Sequence, residues 1–367
     1  KLLWSDKMLR LQYVDVDSKQ VTVVATSKDW EYTDFSWSPD SRWIAYTDPN
    51  SRGSSRIWLY EGSTGNKFPA TDEWYECSSP VFSNDGKYLV FTSNRDFNPI
   101  YSWTEWNHAF TDMSKVYLIT LAKSTPNPFK PENDEVSVKT EEPVAAKPES
   151  KPGKPEEKKE EAAKDKTVKI DAEGIMDRVI SLPIDAGTYW NLAAVDENVY
   201  YVKGGSRGGG KPTLMIYNLK DKKENSAGEF NSYEISADNK KMLVVNSGRY
   251  AVIDLPKGKA DVKDYADLTN MKVKVDLQAE WKQIYNEAWR QMKYFFYDPN
   301  MHGVNWNAMK DKYGVLVPYV NNRNDLNYLI GELVSELNIG HAYVSGGDKP
   351  DPPRIKQGLL GARLSRD

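Results

Sequence analysis

The chain has 367 residues, of which 39% are hydrophobic and 28% charged, and its formal net charge is −4. That length predicts two to three domains of ordinary size. The weak negative charge argues against a nucleic-acid-binding surface. A single cysteine, Cys77, excludes an internal disulfide framework and a cysteine-based zinc site. Because the chain has only three histidines and no apolar run of about 18 residues, we expect no metal site, no cofactor and no membrane span.

The first part of the chain contains a repeated pattern. Residues 38–47 recur 45 residues later as residues 83–92, and weaker copies begin at Asp196 and Ser236. Each copy joins turn residues to an apolar strand, and a second apolar strand follows it. Strand pairs at this period are typical of a β-propeller with one blade per repeat. Residues 1–265 therefore predict four full blades preceded by a partial one. We expect further blades upstream, because an open propeller would expose two sheet edges. A complete four-bladed propeller is the alternative.

Residues 130–166 interrupt this pattern. The segment is rich in acidic, basic and proline residues, and it contains no aromatic residue. Its only large apolar residues are Val136, Val138 and Val144, so it cannot bury enough apolar area to offset the entropy of ordering. We predict a disordered, charged insertion between two blade strands. A functional charged tether is the alternative.

The hydrophobic period becomes helical after Asp276. The spacing predicts one helix that ends before Asp298, a second over residues 305–316 and a third over residues 326–337. Residues 341–345 are predicted to form a short strand. Together these elements predict a small mixed α/β domain.

Several residues are weighed as catalytic candidates. Residues 204–208 match the G-x-S-x-G nucleophile elbow around Ser206, but that motif needs a following helix, and a glycine-rich stretch and another strand follow here. A hairpin loop is therefore favoured. Asp40 and Asp85 are interpreted as turn residues that hydrogen-bond their own backbone. Among the histidines, His108 is interpreted as a surface-loop residue.

The other two histidines lie in the helical part. His302 is interpreted as a capping or packing residue between helices. His341 follows Gly340 where a helix gives way to the predicted strand, so its ring can project into a cleft. A histidine base needs a nucleophile within hydrogen-bond reach and a third group to orient it, and no convincing nucleophilic serine is visible in the chain.

The residues of this part resemble a known family. Residues 301–306 (Met-His-Gly-Val-Asn-Trp), the leucine-rich third helix and residues 338–344 (Asn-Ile-Gly-His-Ala-Tyr-Val) together resemble the first core domain of tricorn proteases. Residues 170–179 resemble the seven-bladed propeller of that family, and residues 358–362 resemble the lead into its PDZ-like domain.

The resemblance implies a serine peptidase that cleaves oligopeptides, with His341 as its catalytic general base and a serine nucleophile in a later core domain. It divides the chain into part of a seven-bladed propeller (1–265), a helical α/β core domain (266–349) and a linker with the start of a PDZ-like domain (350–367). Gly340 departs from archaeal tricorn, where a serine precedes the histidine. We expect the chain to be inactive by itself, because it lacks the nucleophile.

The resemblance also implies peptide substrates that the propeller admits or filters, and assembly into hexamers. It favours a cytoplasmic location, with export as the alternative. The competing interpretation is a non-catalytic propeller that serves as a binding or scaffold module, since TolB-like and prolyl-oligopeptidase-like propellers share the Ser-Pro-Asp turn pattern. The domains encoded after Asp367 in the full gene discriminate between the two interpretations.

Overall fold

A computed structural model describes residues 1–49, 54–96, 99–101, 108–131, 167–205, 210–348, 358 and 361–362. Most of the predicted charged insertion, Ser206 and most of residues 350–367 lie outside the described residues. The chain divides into two compact units, Lys1–Asp267 and Leu268–Asp367.

The first unit consists of β-strands that pair antiparallel with their neighbours. The strands are β1 (Leu2–Ser5), β2 (Arg10–Val14), β3 (Val21–Thr26), β4 (Phe35–Trp37), β5 (Trp43–Asp48), β6 (Arg56–Glu61), β7 (Lys67–Pro69), β8 (Cys77–Phe82), β9 (Tyr88–Asn94), β10 (Pro99–Tyr101), β11 (His108–Phe110), β12 (Ser114–Thr120), β13 (Val179–Ser181), β14 (Tyr189–Val195), β15 (Asn198–Lys203), β16 (Thr213–Asn218), β17 (Lys223–Gly228), β18 (Ser232–Ile235), β19 (Lys241–Asn246) and β20 (Arg249–Asp254). Every strand predicted from the repeats is present.

Five sheets follow one another along the chain, in the manner of propeller blades. Their strand orders are β1-β2-β3, β4-β5-β6-β7, β13-β12-β9-β8, β14-β15-β16-β17 and β18-β19-β20, and β10 and β11 form a separate hairpin. The partial blade predicted at the start is thus confirmed as a three-stranded sheet. The last blade was predicted to be full, but it has three strands among the described residues. After β20 the sequence Pro-Lys-Gly-Lys (256–259) ends the strand pattern, because proline and glycine both disfavour strands.

Each inner sheet is buried on both faces. In β9, Leu89 and Phe91 belong to an apolar cluster with Leu59 of the preceding sheet. Val90, which lies between them in sequence, belongs to a cluster with Val199 of the following sheet. Successive side chains of a strand point to opposite faces, so one strand contributes to two neighbouring interfaces. This explains why the blade strands are continuously apolar.

The Ser-x-Asp turns make the same hydrogen bonds in three repeats. In the first copy, the Ser38 hydroxyl donates to Asp40 at 2.6 Å and accepts from the N–H of Trp43 at 2.9 Å. The same two bonds measure 2.7 and 2.9 Å in residues 83–88. They measure 2.6 and 2.9 Å in residues 236–241. The interpretation of these aspartates as turn residues is therefore confirmed.

Two of these turns also contact residues that belong to the next sheet or to its connections. Asp40 Oδ2 accepts the N–H of Val168 at 2.8 Å. In the next repeat, the Asn84 N–H donates to the Ala194 carbonyl at 3.0 Å, and Asn84 Oδ1 accepts the N–H of Asp196 at 2.7 Å. The turns therefore link blades as well as strands.

The second unit is helical. It contains α1 (Leu277–Phe295), α2 (Trp306–Gly314) and α3 (Arg323–Ser335), with short 3₁₀ turns at Met301–Gly303 and Val317–Tyr319. The side chains of Asp276, Asn305 and Asn322 accept backbone N–H groups at the first turns of the three helices. Their apolar faces meet in one core. The three predicted helices are confirmed, although α2 ends slightly earlier than predicted.

The strand predicted over residues 341–345 is wrong, and so is the mixed α/β class of this unit. Its described residues contain helices and turns but no strand. Asn338 and His341 have φ values of 48° and 58°, outside the range of a β-strand. The residues that follow pair with no strand among the described residues, and a strand without a partner is not stable. No helix in the described ranges has the length and apolar character needed to cross a membrane.

Candidate functional site

His341 lies on the segment that leaves the end of α3. Leu337 closes this end with a fully buried side chain, and the backbone then turns through left-handed residues at Asn338 and His341. The His341 ring is exposed, and its centroid lies 6.5 Å from that of Tyr343 in an edge-to-face arrangement. No hydrogen bond to the imidazole is found within the described ranges. The ring is therefore accessible to a group that approaches it.

The residue before His341 leaves open space. Nothing lies within 4 Å of the position that a Cβ atom would take at Gly340. A serine, the residue that the resemblance to archaeal tricorn leads us to expect here, would therefore find room. The absence of a side chain at this position is therefore not a packing requirement.

The segment that carries His341 is tied to α3 a few residues further on. The Asn327 side chain, which is only 9% exposed, donates to the Gly346 carbonyl at 3.0 Å. Asn327 in turn accepts a hydrogen bond from Arg323 Nε at 2.9 Å. Gly347 has a φ of 90°, and a Cβ atom there would lie 2.2 Å from Arg323 Cζ, so glycine is required at this position. One helix thus fixes both ends of the His341 segment.

His302 is hydrogen-bonded to Leu337, which closes the end of α3 where the His341 segment begins. Its Nδ1 donates to the Leu337 carbonyl at 2.9 Å, which leaves Nε2 to accept from the Tyr297 hydroxyl. The His302 backbone N–H donates to Asp298 at 2.9 Å. Hydrogen bonds from the N–H groups of Asn300 and His302 lower the pKa of Asp298. The interpretation of His302 as a packing residue is confirmed, and both of its ring nitrogens are occupied.

The arrangement defines what His341 can do chemically. An exposed imidazole with a free ring nitrogen can take a proton from a nucleophile that approaches it. In a catalytic triad the second nitrogen is oriented by a carboxylate, and the described residues supply neither that carboxylate nor a nucleophile. In the same ranges, no three His, Cys, Asp or Glu side chains are grouped to hold a metal ion.

The remaining candidates lie far from His341 in sequence. His108 begins β11 in the β10–β11 hairpin. Ser206 lies outside the described residues, although Gly204 and Gly210 on either side of it are described. The sequence analysis did not identify Asn327. A signal was present, because this polar residue falls on the buried face of α3, three residues before Ile330 and seven before Val334.

Comparison with known proteins supports the fold. The family model described as "Tricorn protease second beta propeller domain" matches residues 1–256, and that described as "Tricorn protease C1 domain" matches residues 277–335. The second match ends before His341. The crystal structure of the tricorn protease superposes with a TM-score of 0.75 at 22% identity, over 94% of this chain and 33% of that chain.

Curated relatives agree. Tricorn protease homolog 1 of Streptomyces coelicolor is 30% identical over 97% of this chain and 34% of its own length. The tricorn protease homolog of Saccharolobus solfataricus is 27% identical over 100% of this chain and 33% of its own length. The tricorn protease of Thermoplasma acidophilum is 24% identical over 96% and 32%. The chain therefore spans about a third of the length of these relatives.

The fold and the sequence matches define a class first: a β-propeller unit followed in sequence by a small helical unit. The propeller match alone covers more than half of the chain. The chain belongs to the tricorn protease family.

Proposed function

We propose that the chain is part of a tricorn-like serine peptidase that hydrolyses peptide bonds in oligopeptides, and that His341 is its general base. The observation that carries the proposal is the accessible imidazole of His341, which begins a segment anchored to α3 by Asn327, in a chain matched by two tricorn domains. The nucleophile is a serine beyond Asp367, and residues 350–367 lead into a PDZ-like domain.

The proposed chemistry uses His341 twice. The imidazole takes the proton of the serine hydroxyl while the serine oxygen forms a bond to the peptide carbonyl carbon. It then gives that proton to the leaving amine as the carbon–nitrogen bond breaks and the acyl-enzyme remains. In the second half, His341 takes a proton from a water molecule while that water forms a bond to the acyl carbon. His341 then returns the proton to the serine oxygen as the carbon–oxygen bond to serine breaks and the carboxylic acid leaves. The open space around Gly340 is compatible with an orienting group supplied from elsewhere in the longer protein.

The propeller unit has a role of its own in this proposal. The five described sheets belong to a seven-bladed propeller that admits or filters peptides on their way to the core domains. The longer protein assembles into hexamers. The resemblance of residues 170–179 and the match of residues 1–256 to a propeller model of the family support this role.

Fluorophosphonate labelling tests the proposal, with mass mapping of the adduct. The chain is compared with a version extended through the downstream core domain, each with and without His341→Ala. We expect the extended protein alone to be labelled, on a downstream serine, and the substitution to abolish the label. A label on Ser206 of the 367-residue chain would contradict the proposal. No label on either protein would favour the non-catalytic binding module.

A further inference from the structure

A cavity of about 410 Å³ lies where β9 ends and β8 begins. Its lining residues are Ser54, Trp74, Tyr75, Glu76, Asn94, Arg95, Asp96 and Met113. We call it the Arg95 pocket. Residues of two neighbouring sheets meet there, because Trp74 and Tyr75 belong to the connection between β7 and β8. Neither the tricorn resemblance nor the catalytic proposal assigns a function to this pocket.

Among the described residues, Arg95 is the positively charged residue of the pocket, and it has no ion-pair partner. Its guanidinium carbon lies 5.0 Å from the centre of the Tyr75 ring and 5.2 Å from that of Tyr117. Its Nε donates to Ser93 Oγ at 3.0 Å. The only other partner of the guanidinium in the described part of the chain is Cys77 Sγ, 4.0 Å from Nη2. No carboxylate described in the structure lies within salt-bridge distance of Arg95.

The two carboxylates beside Arg95 are bound to other groups. Asp96 pairs with Lys115 at 2.9 Å. Glu76 accepts a hydrogen bond from the Asn94 side-chain amide at 3.0 Å. Arg95 is therefore held in place by aromatic rings and a hydroxyl, and among the described residues its outer N–H groups meet only the weak acceptor Cys77 Sγ. A guanidinium in this state binds a carboxylate with two parallel hydrogen bonds.

An apolar wall stands beside this cation. Trp74 is 84% exposed and Tyr75 is 42% exposed, although large aromatic side chains are normally buried. The backbone N–H of Trp74 donates to the Asp72 carboxylate at 2.9 Å. This bond fixes the backbone of the loop that presents the indole. Exposed, positioned aromatic residues next to an unpaired cation are typical of a binding site rather than of a solvated surface.

We propose that the Arg95 pocket binds a carboxylate of a peptide, with an adjacent apolar side chain of that peptide packed on Trp74. The carboxylate is either the C-terminal group or that of an acidic side chain. This inference rests on the proposed function, because it assigns to the peptide a contact on the propeller before cleavage. It does not require hydrolysis by the chain itself.

Fluorescence anisotropy with the 367-residue chain tests the inference. The first probe is an N-terminally labelled peptide of alanines that ends in phenylalanine with a free carboxylate. The second is the same peptide as its C-terminal amide, and the third is the amide with one internal glutamate. Arg95→Gln removes the cation and Trp74→Ala removes the apolar wall. Arg249→Gln is the matched control, because Arg249 also stacks on a tyrosine, 4.1 Å from the centre of the Tyr265 ring.

We expect Arg95→Gln to weaken binding of the first probe about tenfold or more, which corresponds to the loss of a charged hydrogen-bonded pair. Arg249→Gln should leave binding unchanged. Trp74→Ala should weaken it about threefold or more. Binding should also fall as the salt concentration rises. Recovery of affinity by the third probe would assign the pocket to acidic side chains. Weak binding by the second and third probes together would assign it to the C-terminus.

Equal affinity of the wild type for all three probes would overturn the inference, as would equal loss in Arg95→Gln and Arg249→Gln. Absence of binding of every probe would also overturn it. These outcomes are separable from failure of the catalytic proposal, because fluorophosphonate labelling of the longer protein does not depend on Arg95. A labelled serine together with unchanged binding by Arg95→Gln would leave the peptidase proposal standing and remove the pocket.

Discussion

Replacing Gly86 by alanine tests how the blade that carries the charged insertion is fastened. Gly86 ends the second Ser-x-Asp turn with a φ of 69°, and a Cβ atom there would lie 2.7 Å from Val168 Cγ2. A left-handed conformation destabilises a residue other than glycine by about 1–2 kcal/mol. Displacing the packed Val168 side chain adds about 1–3 kcal/mol. We therefore expect Gly86→Ala to lower the free energy of unfolding by about 2–5 kcal/mol.

Gly248→Ala separates the two contributions. Gly248 has a φ of 77° in the turn between β19 and β20, and nothing lies within 4 Å of its Cβ position. This substitution should therefore show the backbone effect alone. Urea denaturation followed by circular dichroism measures both variants. Each is then repeated in a Val168→Ala background, where the excess destabilisation of Gly86→Ala should largely disappear. Equal destabilisation by the two glycine substitutions in the original background would refute the proposed contact with Val168.

Two further predictions concern a turn and the His341 segment. Partial burial raises the pKa of Asp85, but hydrogen bonds from Lys87 and Ser83 outweigh it and hold the pKa below its ordinary value. Asp85 therefore stabilises the fold above the unfolded-state pKa of about 3.9 and loses this contribution as the pH falls through the folded-state pKa. Melting temperatures of wild type and Asp85→Asn should differ at pH 6 and converge near pH 2; a constant difference would contradict this. Asn327→Leu leaves the Gly346 carbonyl without its donor, which should destabilise the helical unit by about 1–3 kcal/mol and accelerate amide exchange in residues 341–348. Unchanged exchange there would show that Asn327 does not hold the segment.

The blades could be predicted from the sequence because their signals are local. A Ser-x-Asp turn makes its hydrogen bonds between residues at most five positions apart in the sequence. The strands beside it are apolar throughout because both faces of the sheet are buried. The helices after Asp276 could be predicted for a similar reason, since each has a polar cap residue and one apolar face.

The strand predicted over residues 341–345 failed because strand formation depends on a partner that the local pattern does not reveal. Alternating apolar residues are compatible with a strand, but they do not show whether another strand lies beside them. The left-handed conformation of His341 was also not predictable, because most residues other than glycine avoid it and the local sequence does not signal it.

The candidate site residues also divide into those with a signal in the sequence and those that depend on contacts made only after folding. His341 was identified through its resemblance to a family motif rather than through its own spacing. Asn327 could have been found from its place on an apolar helix face. Arg95 could not, because its isolation from carboxylates depends on where Asp96 and Glu76 find their own partners after folding.

The most direct test of the account is the rate of peptide hydrolysis by the protein extended through the downstream core domain that we propose to carry the serine. The measurement is kcat/KM for an oligopeptide, in wild type, in His341→Gln and in His108→Gln as the matched histidine substitution in the propeller unit. If His341 is the general base, His341→Gln lowers kcat/KM by at least about a hundredfold, whereas His108→Gln leaves it unchanged. Wild-type activity in His341→Gln would contradict the account.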